Sequence, residues 1–173
     1  LPVIERAVGL LERASAAEAD PLARMTTLGE AHYTQAQVHV ILHHPAEGMA
    51  AFDRLLRGVD DYLGAHPGDA AALLAVSNAY SNAASMLDER LSDEAEFVRK
   101  RRLYGRSIWA GERLVGLDPG NLRYRSSLAA ARRSLGVTAY QSGDAASAVH
   151  YLRLAAPVYA ERAADRNDSN AVF

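Results

Sequence analysis

Apolar positions recur along this chain with the three-to-four-residue period of amphipathic helices, in long stretches that follow Pro21, Pro45, Pro67 and Pro119. Proline is tolerated at the first helical position, where the backbone N–H has no partner to lose. The runs of β-branched and aromatic residues that make strands are missing. Within the periodic stretches, breaks fall at His44-Pro45, at Leu91-Ser92-Asp93 and at Gly143-Asp144, where a helix-ending residue meets a capping side chain or a helix-starting proline. The pattern predicts an all-α chain of seven helices over about 2–18, 22–43, 45–65, 68–91, 93–116, 120–142 and 144–166. Connections this short make sequential helices antiparallel neighbours.

One phrase recurs at helix ends. Glu12-Arg13 leads to Asp20-Pro21, Asp60-Asp61 to His66-Pro67, Glu112-Arg113 to Asp118-Pro119, and Glu161-Arg162 to Asn167-Asp168-Ser169-Asn170. Pro21, Pro67, Pro119 and Asp168 stand 46, 52 and 49 residues apart. A lone helix over 1–20 is thus followed by three units of similar length, 21–66, 67–118 and 119–170, in one domain spanning 1–173. The chain opens on Leu1, inside a helical pattern, and reads as a piece of a longer protein whose first helix has lost its hairpin partner. That end is expected to offer a surface for self-association.

The stretch Leu135-Gly136-Val137-Thr138-Ala139-Tyr140-Gln141-Ser142-Gly143-Asp144-Ala145-Ala146-Ser147-Ala148 resembles a tetratricopeptide repeat. In that family a Leu-Gly pair lets the second helix approach the first, and an alanine, here Ala148, sits at the crossing. Leu28-Gly29 reads as the same pair in the first unit, with Ala51 or Ala50 at the crossing, and Ala83-Ala84 replaces it in the second. The period departs from the usual ~34 residues, so each helix gains one to two turns. The resemblance implies a right-handed superhelical stack of antiparallel hairpins. It is similar to the long-helix repeats appended to bacterial signalling and regulatory proteins, and so implies a cytoplasmic binding module for a protein or peptide. The alternative is a structural spacer or dimerisation domain that positions an enzymatic or DNA-binding domain outside this chain.

By the Leu-Gly register, the resemblance places Thr26, Glu30, Tyr33 and Gln37 of the first unit on the ligand-facing groove. Asn78, Ser81 and Ser85 take that place in the second, and Arg133, Val137 and Tyr140 in the third. Positions 26, 30, 33 and 37 share one helix face. Tyrosines there supply flat amphipathic contact area, and Asn and Ser supply adaptable hydrogen bonds.

Composition narrows the remaining choices. A net charge of −2 gives no pull toward nucleic acid or a membrane surface, and no apolar run is long enough to span a bilayer. Without cysteine there is no disulfide, thiolate metal site or thiol nucleophile. His32, His39 and His43 share a face, and His39 with His43 could meet one zinc ion; Met25, Leu28 and Ala36 on the same stripe make it a packing face instead, so no metal or cofactor is expected. Arg99, Arg102 and Arg106 could meet phosphates, but Asp88, Glu89, Asp93, Glu94 and Glu96 lie close enough to neutralise them. An acidic protein fits that patch better than nucleic acid. No phosphate loop, nucleophile elbow or His-Glu-x-x-His motif is present, so no enzymatic activity is expected. Trp109 is expected in the core between stacked units.

Overall fold

The computed structural model describes residues 2–87 and 94–170, and all regular structure among them is helical. The helices are α1 (Pro2–Ala16), α2 (Pro21–Ile41), α3 (Pro45–Ala65), α4 (Ala70–Met86), α5 (Glu94–Leu117), α6 (Leu122–Gln141) and α7 (Ala145–Asn170). They form two compact units that divide after Met86. In the first, α1 packs on α2, α2 on α3 and α3 on α4, and α2 also touches α4. In the second, α5 packs on α6 and α6 on α7. The break expected at Leu91-Ser92-Asp93 lies outside the described residues.

The joints explain where the helices begin. At α2, Asp20 is the N-cap, its carboxylate accepting from the Leu22 N–H at 2.9 Å, and Pro21 occupies the first turn. Pro67 and Pro119 do something else. In each case a Pro-Gly pair makes a tight turn, closed by Asp69 N–H to His66 C=O at 3.1 Å and by Asn121 N–H to Asp118 C=O at 3.2 Å. The residue after the turn then caps the helix: Asp69 accepts from the Ala71 N–H, and Asn121 from the Tyr124 N–H. For that reason α4 and α6 start at Ala70 and Leu122, two residues later than expected. At the fourth copy of the phrase no turn forms. It carries Asp168-Ser169 where the others carry a proline, no proline interrupts the backbone ladder at that point, and α7 stays helical to Asn170.

The two hairpin turns are the same object at an offset of 100 residues. After α2, His43 N–H reaches Val40 C=O and His44 N–H reaches His39 C=O; after α6, Gly143 N–H reaches Tyr140 C=O and Asp144 N–H reaches Ala139 C=O. This paired closure is the Schellman motif, which needs a left-handed residue just past the helix. Gly143 supplies it at φ 80°, and His43 adopts it at φ 60° despite its Cβ. Asp144 then caps α7 through the Ser147 N–H at 3.1 Å, whereas His44 makes no side-chain capping bond to α3.

Small residues set how closely each pair of helices approaches. A Cβ built on Gly136 would stand 2.9 Å from Leu152 Cγ and 3.3 Å from the Ala148 carbonyl oxygen, so α6 and α7 meet nearly backbone to backbone. The corresponding contact in the first hairpin is Gly48 of α3, whose Cβ would stand 2.9 Å from Val40 Cγ2 and 3.1 Å from the Ala36 carbonyl oxygen. The offset of 100 thus pairs Gly136 with Ala36 and Ala148 with Gly48, the glycine having changed helices. Gly29, expected to be the counterpart of Gly136, lies seven residues away and meets only the flexible end of Leu55, at 3.2 Å. Of the two expected crossing alanines, Ala51 is buried and Ala50 exposed, but the tightest contact belongs to Gly48.

Around these crossings the largest fully buried side chains include Phe52, Leu73 and Val76 in the first unit and Leu114 in the second. Each contributes on the order of 2 kcal/mol. Pro157 interrupts the ladder of α7, but both it and Arg153, whose carbonyl loses its helical donor, lie on the exposed side where water can replace it.

Two substitutions test this account. Gly136→Val should lower the unfolding free energy of the second unit by about 2 kcal/mol through overpacking. His43→Gly should raise that of the first by about 1 kcal/mol by relieving the left-handed residue. Urea titration followed by circular dichroism reads both, and unchanged midpoints would refute the corresponding contact or strain.

Candidate functional site

On α2, Thr26 and Glu30 are exposed and Tyr33 and Gln37 half-buried. The row is internally organised. The Thr26 hydroxyl donates to Leu22 C=O, the Gln37 amide donates to the Tyr33 hydroxyl at 2.9 Å, and the Tyr33 ring meets Phe52 edge-on at 6.0 Å. On α4, which touches α2, Asn78 and Ser85 are exposed and Ser81 half-buried. The first unit therefore carries a polar, solvent-facing surface on two neighbouring helices. In the second unit Arg133, Val137 and Tyr140 are all exposed on α6, Tyr140 by 73%.

The register found at the turns re-indexes these positions. Arg133, Val137 and Tyr140 correspond to Tyr33, Gln37 and Val40, while Thr26 and Glu30 lie two turns further from the hairpin end. Seven residues are nearly two whole turns, so the shift moves positions along the face without rotating them off it.

A second feature was not expected. A cleft of about 590 Å³ opens between α2 and α3 near the end of α1, lined by Arg24, Met25, His32, Arg54, Tyr62 and His66 among others. Arg54 reaches from α3 to the Gln35 amide oxygen of α2 at 2.9 Å, and the rings of Tyr62 and His66 stack at 4.3 Å. Only the distribution of arginine and aromatic residues on α3 hinted at it, because cleft walls depend on how two helices splay.

His32 is buried, with its Nε2 3.8 Å from the Glu12 carboxylate of α1. Burial pushes its pKa down, and the Arg54 cation adds to this, with a smaller contribution from Arg57; Gln35 and Glu12 favour the charged ring but do not overcome the desolvation. His39 is also buried, its ring edge-on to His44 at 6.3 Å. His43 leaves the shared histidine face because α2 ends at Ile41 and the turn carries His43 outward. Among the described residues no three His, Asp or Glu side chains converge as metal ligands would.

On α5, Arg99 and Arg102 are exposed and Arg106 half-buried. Asp88, Glu89 and Asp93, expected to neutralise them, lie outside the described residues. Trp109 is not in a core. It is partly buried, with the Arg106 and Arg113 guanidinium groups 4.1 and 4.5 Å from the centre of its ring. The packing row of α5 runs through Leu103, Ser107, Ala110 and Leu114, and Trp109 falls beside it. Other arginines tie the second unit together: Arg101 reaches Ser142 and Asp144 at the hairpin turn, Arg132 pairs with Glu112, and Arg125 makes a two-pronged pair with Glu161. Hydrogen bonds from Ser147, and secondarily Arg101, hold the Asp144 carboxyl below its ordinary pKa.

No described helix is long and apolar enough to cross a membrane. No protein-family model matches the chain, and no curated protein is significantly similar to it.

The depressed pKa of His32 fixes a sign. Below its ordinary value of about 6.5, the unfolded chain takes up the proton more readily than the folded one. The stability tied to the neutral ring is complete above that pH and declines as the pH falls below it. Urea unfolding between pH 5 and pH 8, values chosen to bracket about 6.5, should therefore show a shallower acid loss for His32→Gln than for the parent chain. Parallel profiles would remove His32 from the acid response.

Proposed function

We propose that this chain is a tetratricopeptide-like helical-repeat module that binds a protein or peptide segment and has no catalytic role of its own. The observation that carries this reading is the recurrence of one hairpin at an offset of 100 residues, with the same Schellman closure and the same small-residue crossing. A repeated hairpin cannot bury both of its faces alone, and repeats that stack for this reason leave long faces open to partners. The ligand-facing surface of the first unit is the row Thr26, Glu30, Tyr33 and Gln37 on α2, with Asn78, Ser81 and Ser85 on α4. Arg133, Val137 and Tyr140 on α6 are its counterpart in the second.

These side chains suit recognition of an extended or helical segment. Tyr33 and Tyr140 provide rigid amphipathic area, and Asn78 and the serines provide donors and acceptors that adapt to a partner's backbone. The module belongs to a signalling or regulatory protein of a bacterial cytoplasm, where it brings a partner to domains outside this chain.

Affinity capture with the intact chain, followed by calorimetric titration of each captured segment, tests the reading. Tyr33→Ala and Asn78→Ala should each weaken a true ligand several-fold or more, with helicity unchanged. If every captured segment binds both variants as it binds the parent, the groove assignment fails, and if none binds at all, the spacer reading replaces it.

A further inference from the structure

The cleft between α2 and α3 lies wholly within the first unit and apart from its polar row. Met25, Leu28, Gly29 and His32 line it from α2, on a face about a third of a turn from Thr26, Glu30, Tyr33 and Gln37. Its volume of about 590 Å³ is that of a small-molecule site. Leu28 of α2 with Leu55 and Val59 of α3 give it an apolar middle. Gly58 leaves the α3 wall open there, with nothing within 4 Å of where its Cβ would stand.

The two ends of the cleft differ in charge. Toward the hairpin turn stands Arg54, half-buried, with the Gln35 amide oxygen as its acceptor at 2.9 Å. Among the described residues no carboxylate pairs with it; Glu12 of α1 stands by His32 instead, at 3.8 Å. A guanidinium has five N–H donors, and one partly withdrawn from water with a single neutral acceptor favours an anion beside it. His32 adds no competing charge, since burial first and Arg54 second hold its ring neutral near neutral pH. At the other end the Tyr62 and His66 rings stack at 4.3 Å. The pair is tied down: His66 Nδ1 donates to Tyr62 C=O at 3.0 Å, and the Tyr62 hydroxyl donates to the Asp69 carboxylate at 3.4 Å. The acids of the lining, Glu18 and Asp61, belong to this end together with Arg24. An anion is therefore drawn toward Arg54, and an aromatic ring toward the Tyr62 platform.

From this arrangement we infer that the cleft is a binding site for a small aromatic carboxylic acid. The carboxylate takes the remaining N–H groups of Arg54 in a two-pronged pair, and the ring system lies over Leu28 and Leu55 toward Tyr62. Arg54 and Tyr62 are separated by about 12 Å along α3, a span that the arginine side chain and two fused rings fill together. One arginine suits one carboxylate; a phosphate would bring a second negative charge with no second cation lining that end. This site does not depend on the polar row of the first unit and stands whether or not that row binds a ligand.

The test is titration calorimetry of the intact chain with 2-naphthoate and with its uncharged isostere 2-naphthamide. The acid should bind saturably with a Kd below about 1 mM, and the amide about tenfold more weakly. Arg54→Gln should remove that difference by weakening the acid alone. Gly58→Leu, whose side chain enters open space, should abolish binding of both while circular dichroism shows the helicity retained. The inference is overturned if the acid fails to saturate up to about 5 mM, or if acid and amide bind the parent chain alike. It is equally overturned if either variant binds the acid as the parent does, because the probe then sits elsewhere.

Discussion

Everything in each unit depends on how closely two helices can approach where they cross. At Gly136 and Ala148, and again at Ala36 and Gly48, the side chains are so small that one helix backbone rests almost on the next. Such a contact gains dispersion energy along the whole hairpin and fixes the depth at which neighbouring side chains interlock. It also decides which rows turn inward. With the crossing set, Phe52 and Leu55 on one copy, and Leu152 and Ala155 on the other, have no freedom to exchange places.

The joints act on that constraint from the ends. Schellman closures after α2 and α6 satisfy the last carbonyls and reverse the chain within three residues. Capping by Asp20, Asp69, Asn121 and Asp144 starts the next helix at a defined residue. Because the Schellman closures recur at an offset of 100, the two hairpins can be compared position by position. That comparison gives meaning to differences: Phe52 and Val59 are buried on α3 while their counterparts Leu152 and Tyr159 are exposed on α7, and among the described helices only α3 of the two has a further helix, α4, packed on it.

The surfaces left over have distinct chemistries. The α2 and α4 face is polar, with Glu30 the one charged side chain in its row and Tyr33 and Gln37 already partnered to each other. The α7 row is apolar, and α5 carries arginines that flank Trp109. Near α1, His32 brings a titratable ring into a buried position beside Glu12, which makes this end of the first unit sensitive to protonation.

Much of this was legible in the chain itself. Helical periodicity, the recurring Pro joints and the Gly143-Asp144 turn are local signals, since a turn or a cap is set by a few adjacent residues whatever lies beyond them. The helix class, seven segments and most of their ends followed from such signals. Position along a face was harder. Leu28-Gly29 looked like Leu135-Gly136, yet the true counterpart of Gly136 is Ala36, because a glycine in a helix says nothing about whether another backbone lies against it. The positions picked out by the Leu-Gly register kept their helix face only because the error was nearly two full turns. Trp109 misled for a related reason: its size favours burial, but its angle on α5 places it beside the packing row. Sequence alone determined the helical class, roughly where most helices start and stop, and which of their faces are apolar. Tertiary structure alone decided which apolar face is covered, because burial depends on a neighbour that no residue in the row encodes.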